Sequence, residues 1–395
     1  MRERYSHIVI GAGAIGSAAA YWLGRAGAER VLVIEQFDLV PTLGSSGDHS
    51  RIIRHAYGST IYTELTPAMF DAWTAVEEHA GMPVVLRTGG LDLARAGTPG
   101  QAVIESYRAA LDARGLPYET LTVDTIRDRY PQWRLDDDVI GTYQEHGGLL
   151  DIRRAVSVMT SLAMSLGVEF RPRTRVTGVV LRPGSVAVAA GDDVFEAEHL
   201  VVAAGSWLPE LQRDLGLDLP ITLSQEQVSY IAPRELRHYA PERFPIWLYH
   251  AEEAGDFYGF PVYGEAAIKI GRDLPGGRFI RSEDRVFEAS PAEEQVLLGF
   301  LRRHLPGAVG PVLASRTCVY DLTPDRDFIV DTLPDHPHVA VFTGAGHAGK
   351  FASLMGSVLA DLVTNGSTAH AVEPFRLDRP ALTDPDYVPV WAGRD

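Results

Sequence analysis

An α/β fold is predicted, with a Rossmann-like dinucleotide-binding domain interleaved with an α+β domain built on an antiparallel sheet, and three kinds of segment in the 395-residue chain carry that prediction. First, the apolar run His7–Ile10 leads into Gly11-Ala12-Gly13-Ala14-Ile15-Gly16, then a helix of small residues, then a second strand, Val31–Glu35, that ends on an acid. Second, the passage from strand to glycine recurs at His199–Trp207, where Gly205 makes the turn, and at Val339–Phe351, which carries Gly344, Gly346 and Gly349. Third, Gln227–Ile231, Ile246–Tyr249 and Phe257–Phe260 have the length and the β-branched and aromatic content of antiparallel strands.

Each part of the first unit has a physical reason. Gly11 suits the tight turn, Gly13 lets a pyrophosphate approach the backbone, and Gly16 lets helix and strand pack closely, while the helix N-terminus favours the phosphates. Glu35 stands 19 residues after Gly16, a spacing that suits the ribose hydroxyls. The pattern alone does not separate NAD from FAD. Its place at the extreme N-terminus and the two later glycine segments favour FAD, since amides at a helix start can face the anionic ring oxygen of a reduced flavin. The nucleotide-binding domain is expected over 1–85, 147–220 and 315–395, and the antiparallel domain over 86–146 and 221–314, with the substrate pocket where they meet.

Composition narrows the function. With 46% hydrophobic and 22% charged residues the chain reads as a globular enzyme, and a net charge of −16 argues against nucleic acid or an anionic membrane as partner. The start leads directly into a strand and no apolar run approaches a membrane span, so a cytoplasmic protein is expected. No metal site is expected, because His336-Pro337-His338 reads as a turn without acidic or cysteine partners. Cys318 is the single cysteine, either an inert buried side chain or a nucleophile kept for one reaction.

The segment Gly44-Ser-Ser-Gly-Asp-His-Ser-Arg51-Ile-Ile-Arg54-His-Ala-Tyr57-Gly58 is more specific than any glycine pattern. With Tyr258-Gly-Phe-Pro, Ile268-Lys269-Ile-Gly271, the residues around Cys318 and Gly344-Ala-Gly-His347-Ala-Gly-Lys350-Phe, it resembles the monomeric sarcosine oxidase and N-methyltryptophan oxidase family, from the first strand to about residue 360. That resemblance implies an FAD enzyme of the D-amino-acid-oxidase type. Such an enzyme oxidises a secondary amino acid, or a glycine-type amine, to an imine that hydrolyses, and it reduces O2 to hydrogen peroxide.

Residue by residue, the resemblance implies that Cys318 bonds covalently to the flavin, that Arg54 and Lys350 hold the substrate carboxylate, and that Lys269 promotes reoxidation. Arg51 is expected to face the flavin, with Ser45, Ser50, Val176, Gly205 and Trp207 as further cofactor contacts. Tyr258 matches an active-site tyrosine. His347 is a catalytic candidate, although it and Tyr320 would serve equally as pocket walls. Two departures lie in the expected pocket. Gly47 stands where the family has a histidine and is expected to enlarge the pocket, and Asp273 replaces another histidine, free to pair with a second amino group or with Arg272. A monomer is expected from the nearest family members. Two alternatives stay open: a flavin dehydrogenase with an acceptor other than oxygen, and a flavin-binding protein without turnover.

Overall fold

The computed structural model describes residues 3–250, 255–273, 279–280 and 284–391, and arranges them around two large sheets and one small one. In the eight-stranded sheet, five strands run parallel in the order Glu169–Arg171, Val31–Ile34, Glu3–Ile10, Asp193–Val202 and His336–Thr343. Parallel strands are covered on both faces, which is why Val31–Ile34 is an unbroken apolar run and buried throughout. The first strand begins at Glu3, ahead of the apolar run from His7, because its ladder to Asp193–Val202 continues back to Phe195. His336 and His338, expected in a turn, instead open the strand that pairs with Ile329–Leu333.

Helix Ala14–Arg25 packs between helices Ile152–Ser165 and Ala352–Asn365 on one face of this sheet. The contact with Ala352–Asn365 is made by backbone. A Cβ placed on Gly356 would lie 2.4 Å from Cβ of Ala18 and 2.5 Å from its carbonyl carbon, so Gly356 and the alanine run of the first helix set how closely the two helices approach.

The nine-stranded sheet joins both segments assigned to the antiparallel domain: Gly90–Arg95, Val139–Gln144 and Glu119–Thr122 continue the sheet formed by Thr222–Ile231, Ile268–Asp273, Asp256–Phe260 and Ile246–His250. The Cys318 strand, Val312–Leu322, pairs with Thr222–Ile231 along its whole length. It therefore lies in this sheet, and the nucleotide sheet resumes only with Ile329–Leu333, later than the expected boundary at 315. A small sheet of Ser50–Ile53, Gly148–Asp151 and Val85–Arg87 carries Arg51. No helix among the described residues is long and apolar enough to cross a membrane.

Strand alternation explains how one sheet face becomes chemical. Asp256 lies opposite Asp273, Tyr258 opposite Gly271, and Phe260 opposite Lys269. With a side-chain period of two, all six share one face. Gly356→Val inserts three carbons where even a Cβ has no room, and the fold should lose about 1–3 kcal/mol, read as a lower urea midpoint. An unchanged midpoint would mean that the two helices can separate at no cost.

Candidate active site

A cavity of about 1080 Å³ extends from the glycine fingerprint to that sheet face. At its nucleotide end Gly11 has φ +96, and a Cβ there would lie 2.5 Å from the carbonyl oxygen of Ala203. Gly16 does not line the cavity; its Cβ would fall 1.8 Å from the carbonyl oxygen of Gly11, so it sets the approach of helix to turn. Glu35 is buried and accepts the amides of Ala12 and Phe37, each at 2.8 Å. Burial raises its pKa, and those amides oppose the rise. Val176, Gly205 and Trp207 line the same end, and the guanidinium of Arg285 stands 5.2 Å over the Trp207 ring.

The loop from Gly44 to Ser50 forms the middle of the cavity wall. Arg51 donates to the carbonyls of Ser45, Gly47 and Ser50 at 2.6, 2.6 and 2.8 Å, and Ser45 donates its hydroxyl to the carbonyl of Val319. The loop is thereby fastened to the Cys318 strand. Gly47 does not enlarge the pocket: a Cβ there would lie 2.3 Å from the carbonyl oxygen of Thr42, so the glycine is needed for a turn. Asp48, at φ +72, turns its carboxylate inward. Its oxygens lie 2.6 Å from Lys269 Nζ and 2.7 Å from Arg316, and Tyr230 donates to it at 2.6 Å. Burial would raise the pKa of Asp48, yet Lys269 and Arg51 hold it far below the usual carboxylate range. Lys269 also donates to the carbonyl of Ser50 at 2.9 Å, and burial brings its pKa to about 8 despite Asp48.

The other cations are arranged differently. Arg54 is 6% exposed, and its guanidinium is bonded to the carboxylate of Asp92, itself 1% exposed, while Tyr107 accepts from it at 3.3 Å. Asp92 faces His250, which bonds Asp256 at 2.9 Å. Burial would lower the pKa of His250, but Asp256 and then Asp92 raise it to about 9, so the imidazole is cationic at neutral pH. Lys350 donates to the hydroxyl of Tyr57 at 2.7 Å and to the carbonyl of His347 at 3.4 Å. Among the described residues no carboxylate pairs with it. Burial first, then Arg54 nearby, lower its pKa to about 7.

The family model of FAD dependent oxidoreductases (DAO) matches residues 6–362. The chain belongs to that family. Monomeric sarcosine oxidase of Bacillus sp. (strain B-0618) is 30% identical to it over 389 residues, 97% of this chain and 98% of that one. N-methyl-L-tryptophan oxidase of Escherichia coli O139:H28 (strain E24377A / ETEC) is 32% identical over 384 residues, 95% of this chain and 99% of that one. Among solved structures, NikD, an amino acid oxidase essential for nikkomycin biosynthesis, is similar with a TM-score of 0.83 at 26% identity over 95% of this chain and 97% of that one. Glycine oxidase from Geobacillus kaustophilus, at 19% identity and TM-score 0.80 over 95% and 99% of the two chains, shares the fold.

A DAO-family FAD oxidoreductase has to house a dinucleotide and a flavin ring, and the cavity fits both. The amide of Ala14, at the start of the fingerprint helix, donates to Ser46, and Gly13 has no side chain between that helix end and the cavity. Gly344, Gly346 and Gly349 keep the third glycine segment, Val339–Phe351, close to its neighbours at the cavity wall. A Cβ on Gly346 would lie 2.6 Å from the Tyr320 ring, and one on Gly349 would lie 3.2 Å from Arg51. The Cys318 thiol lines the cavity between the two ends, and burial pushes its pKa up to about 11, with Arg51 opposing. Tyr258 stands against Gly271, whose missing side chain leaves room for the ring.

Other residues in the family site escaped sequence reasoning. Asp92, His250 and Asp256 carry no motif, and only the fold brings them beside Arg54; Asp48 stands within the Gly44–Gly58 segment, but only the turn of its loop brings it to Lys269. Asp321, three residues after Cys318, carries no motif of its own, yet it accepts the amide of Gly344 at 3.2 Å and burial raises its pKa to about 6. Asp273 pairs through both oxygens with Arg326, at 2.7 and 3.2 Å, and Arg272 pairs with Glu293 at 2.6 Å. His347 bonds the carbonyl of Arg326 through Nε2 at 2.9 Å, which requires the proton on that nitrogen. Burial, then Lys350, depress its pKa to about 3, so the ring is neutral.

Proposed function

We propose that the protein is an FAD-dependent oxidase of a secondary, N-substituted amino acid or a glycine-type amine, with O2 as electron acceptor and hydrogen peroxide and a hydrolysable imine as products. The observation that carries this reading is Lys350. A half-buried ammonium that meets no carboxylate among the described residues is costly, and burial, with Arg54 nearby, lowers its pKa to about 7. A substrate carboxylate beside it removes the penalty. Arg54 differs: Asp92 already balances its charge, so it adds direction to the clamp while Lys350 adds net charge. The relatives named for sarcosine and N-methyl-L-tryptophan support an amine with a carboxylate as the substrate class.

A bound flavin supplies the two-electron sink for the substrate C–H bond. The chain's part is placement: Lys350 and Arg54 fix the carboxylate, and Tyr258 and the neutral His347 wall the pocket. Lys269, with Asp48 holding its ammonium, stabilises negative charge as it reaches oxygen. Cys318 would hold the flavin through a thioether, assisted by the Arg51 and Lys269 charges that oppose the rise of its pKa. The described helices include no membrane span, and a monomeric, cytoplasmic protein is part of this reading.

Three measurements test it. Lys350 is charged below its pKa of about 7 and neutral above it, so a carboxylate inhibitor should bind more weakly as pH rises through that value. Lys350→Met should weaken binding by ~10- to 100-fold, the worth of one charge-assisted hydrogen bond, and flatten the pH profile. Equal affinity in both proteins would remove Lys350 from the clamp. Lys269→Met should slow reoxidation by O2 far more than anaerobic reduction by amine, and equal slowing of the two half-reactions would sink the oxygen role. Cys318→Ala should release its flavin on acid precipitation while the parent chain stays yellow; colour retained by the variant would refute the thioether.

A further inference from the structure

Arg326 is one of the non-glycine residues with positive φ, at +58, in the turn that follows the Cys318 strand. Left-handed backbone costs a residue with a Cβ about 1 kcal/mol, and glycine or asparagine would hold the turn more cheaply. The surroundings over-determine this turn. The Arg326 amide donates to the carbonyl of Thr323 at 3.1 Å, and Thr323 donates its hydroxyl to the carbonyl of Asp327 at 2.7 Å. Arg379, near the C-terminus, grips Asp325 with two bonds of 2.7 and 3.0 Å, and His347 binds the carbonyl of Arg326. So much bracing for a strained position makes sense only if the side chain is wanted where it points.

It points into the cavity. The Arg326 guanidinium closes a two-bond fork with Asp273, both residues line the cavity, and both stay partly open. Asp273 ends the sheet face that carries Tyr258 and Lys269, and the pair is near enough to Lys350 and His347 to act on their charge. A substrate anchored by its carboxylate at Lys350 therefore presents its substituent to this ion pair.

Resting on the oxidase reading above, we propose that the Arg326–Asp273 pair is the specificity element of the site and selects an amino acid whose substituent ends in a neutral group with both a donor and an acceptor, such as a carboxamide. The pair is already balanced. A bare carboxylate on the substituent would meet Asp273, and a bare ammonium would meet Arg326. An aliphatic or aromatic end would strip water from both charges and return no hydrogen bond. A carboxamide donates to the carboxylate and accepts from the guanidinium.

The test compares near-isosteres in the holoenzyme. One arm places the group on the α-carbon, N-methyl-L-glutamine against N-methyl-L-methionine, and the other places it on nitrogen, N-(2-carbamoylethyl)glycine against N-butylglycine. In one arm or the other kcat/KM should favour the carboxamide by at least about tenfold, and that arm locates the substituent. Asp273→Leu/Arg326→Met, a volume-matched apolar replacement that is often tolerated, should reverse the ratio; because both substrates share any folding loss, the ratio is insensitive to it. Binding is read separately from turnover with 4-carbamoylbutanoate against hexanoate, followed by the visible absorption of the bound flavin. If no amine is oxidised, the oxidase reading fails while the binding ratio still judges the pair. A parent enzyme that shows no carboxamide preference in either arm or in binding, or a double variant with unchanged ratios, overturns the proposal.

Discussion

Charge buried beside a cavity has to be balanced, and that requirement organises the site. Lys269 has Asp48, Arg54 has Asp92 and Arg326 has Asp273, each within a hydrogen bond of its cation. Lys350, among the described residues, has only a phenol and a carbonyl. In a chain of net charge −16, these three cavity cations are neutralised internally, whereas no carboxylate pairs with Lys350 among the described residues.

The two sheets divide the labour according to their geometry. Parallel strands buried on both faces leave only their ends free, so what this sheet presents to the cavity are turns and helix starts at Gly11, Gly205 and Gly344. The antiparallel sheet has a free face, and there a period of two gathers Tyr258, Lys269 and Asp273 from adjacent strands. The loop around Asp48 and Arg51 ties the two systems together, because Ser45 is bonded to the Cys318 strand and Ser50 to Lys269. Displacing that loop would move the cavity wall and Lys269 together.

Gly47 and Asp273 show how a sequence departure can mislead in two directions. Both stood out as changes in the expected pocket. Gly47 is explained by backbone, since the carbonyl of Thr42 occupies the place of any side chain. Asp273 is explained by a partner in a distant turn, Arg326, with which it forms two hydrogen bonds at the cavity wall. The resemblance marked both positions equally, and only their neighbours separate them.

The sequence by itself determined the dinucleotide unit, the α/β class and the identity of Arg54, Lys269, Cys318 and Lys350 as residues of interest, because glycine turns, strand runs and short motifs are local and contiguous. Tertiary structure decided what those residues can do. Which cation is neutralised depends on Asp48, Asp92 and Asp273, and each carboxylate reaches its cation only through a loop turn or a strand register. The placement of the Cys318 strand in the antiparallel sheet follows likewise from its pairing with Thr222–Ile231. Counter-charge and register are relations between residues far apart in the chain, and no local pattern of residue types encodes them.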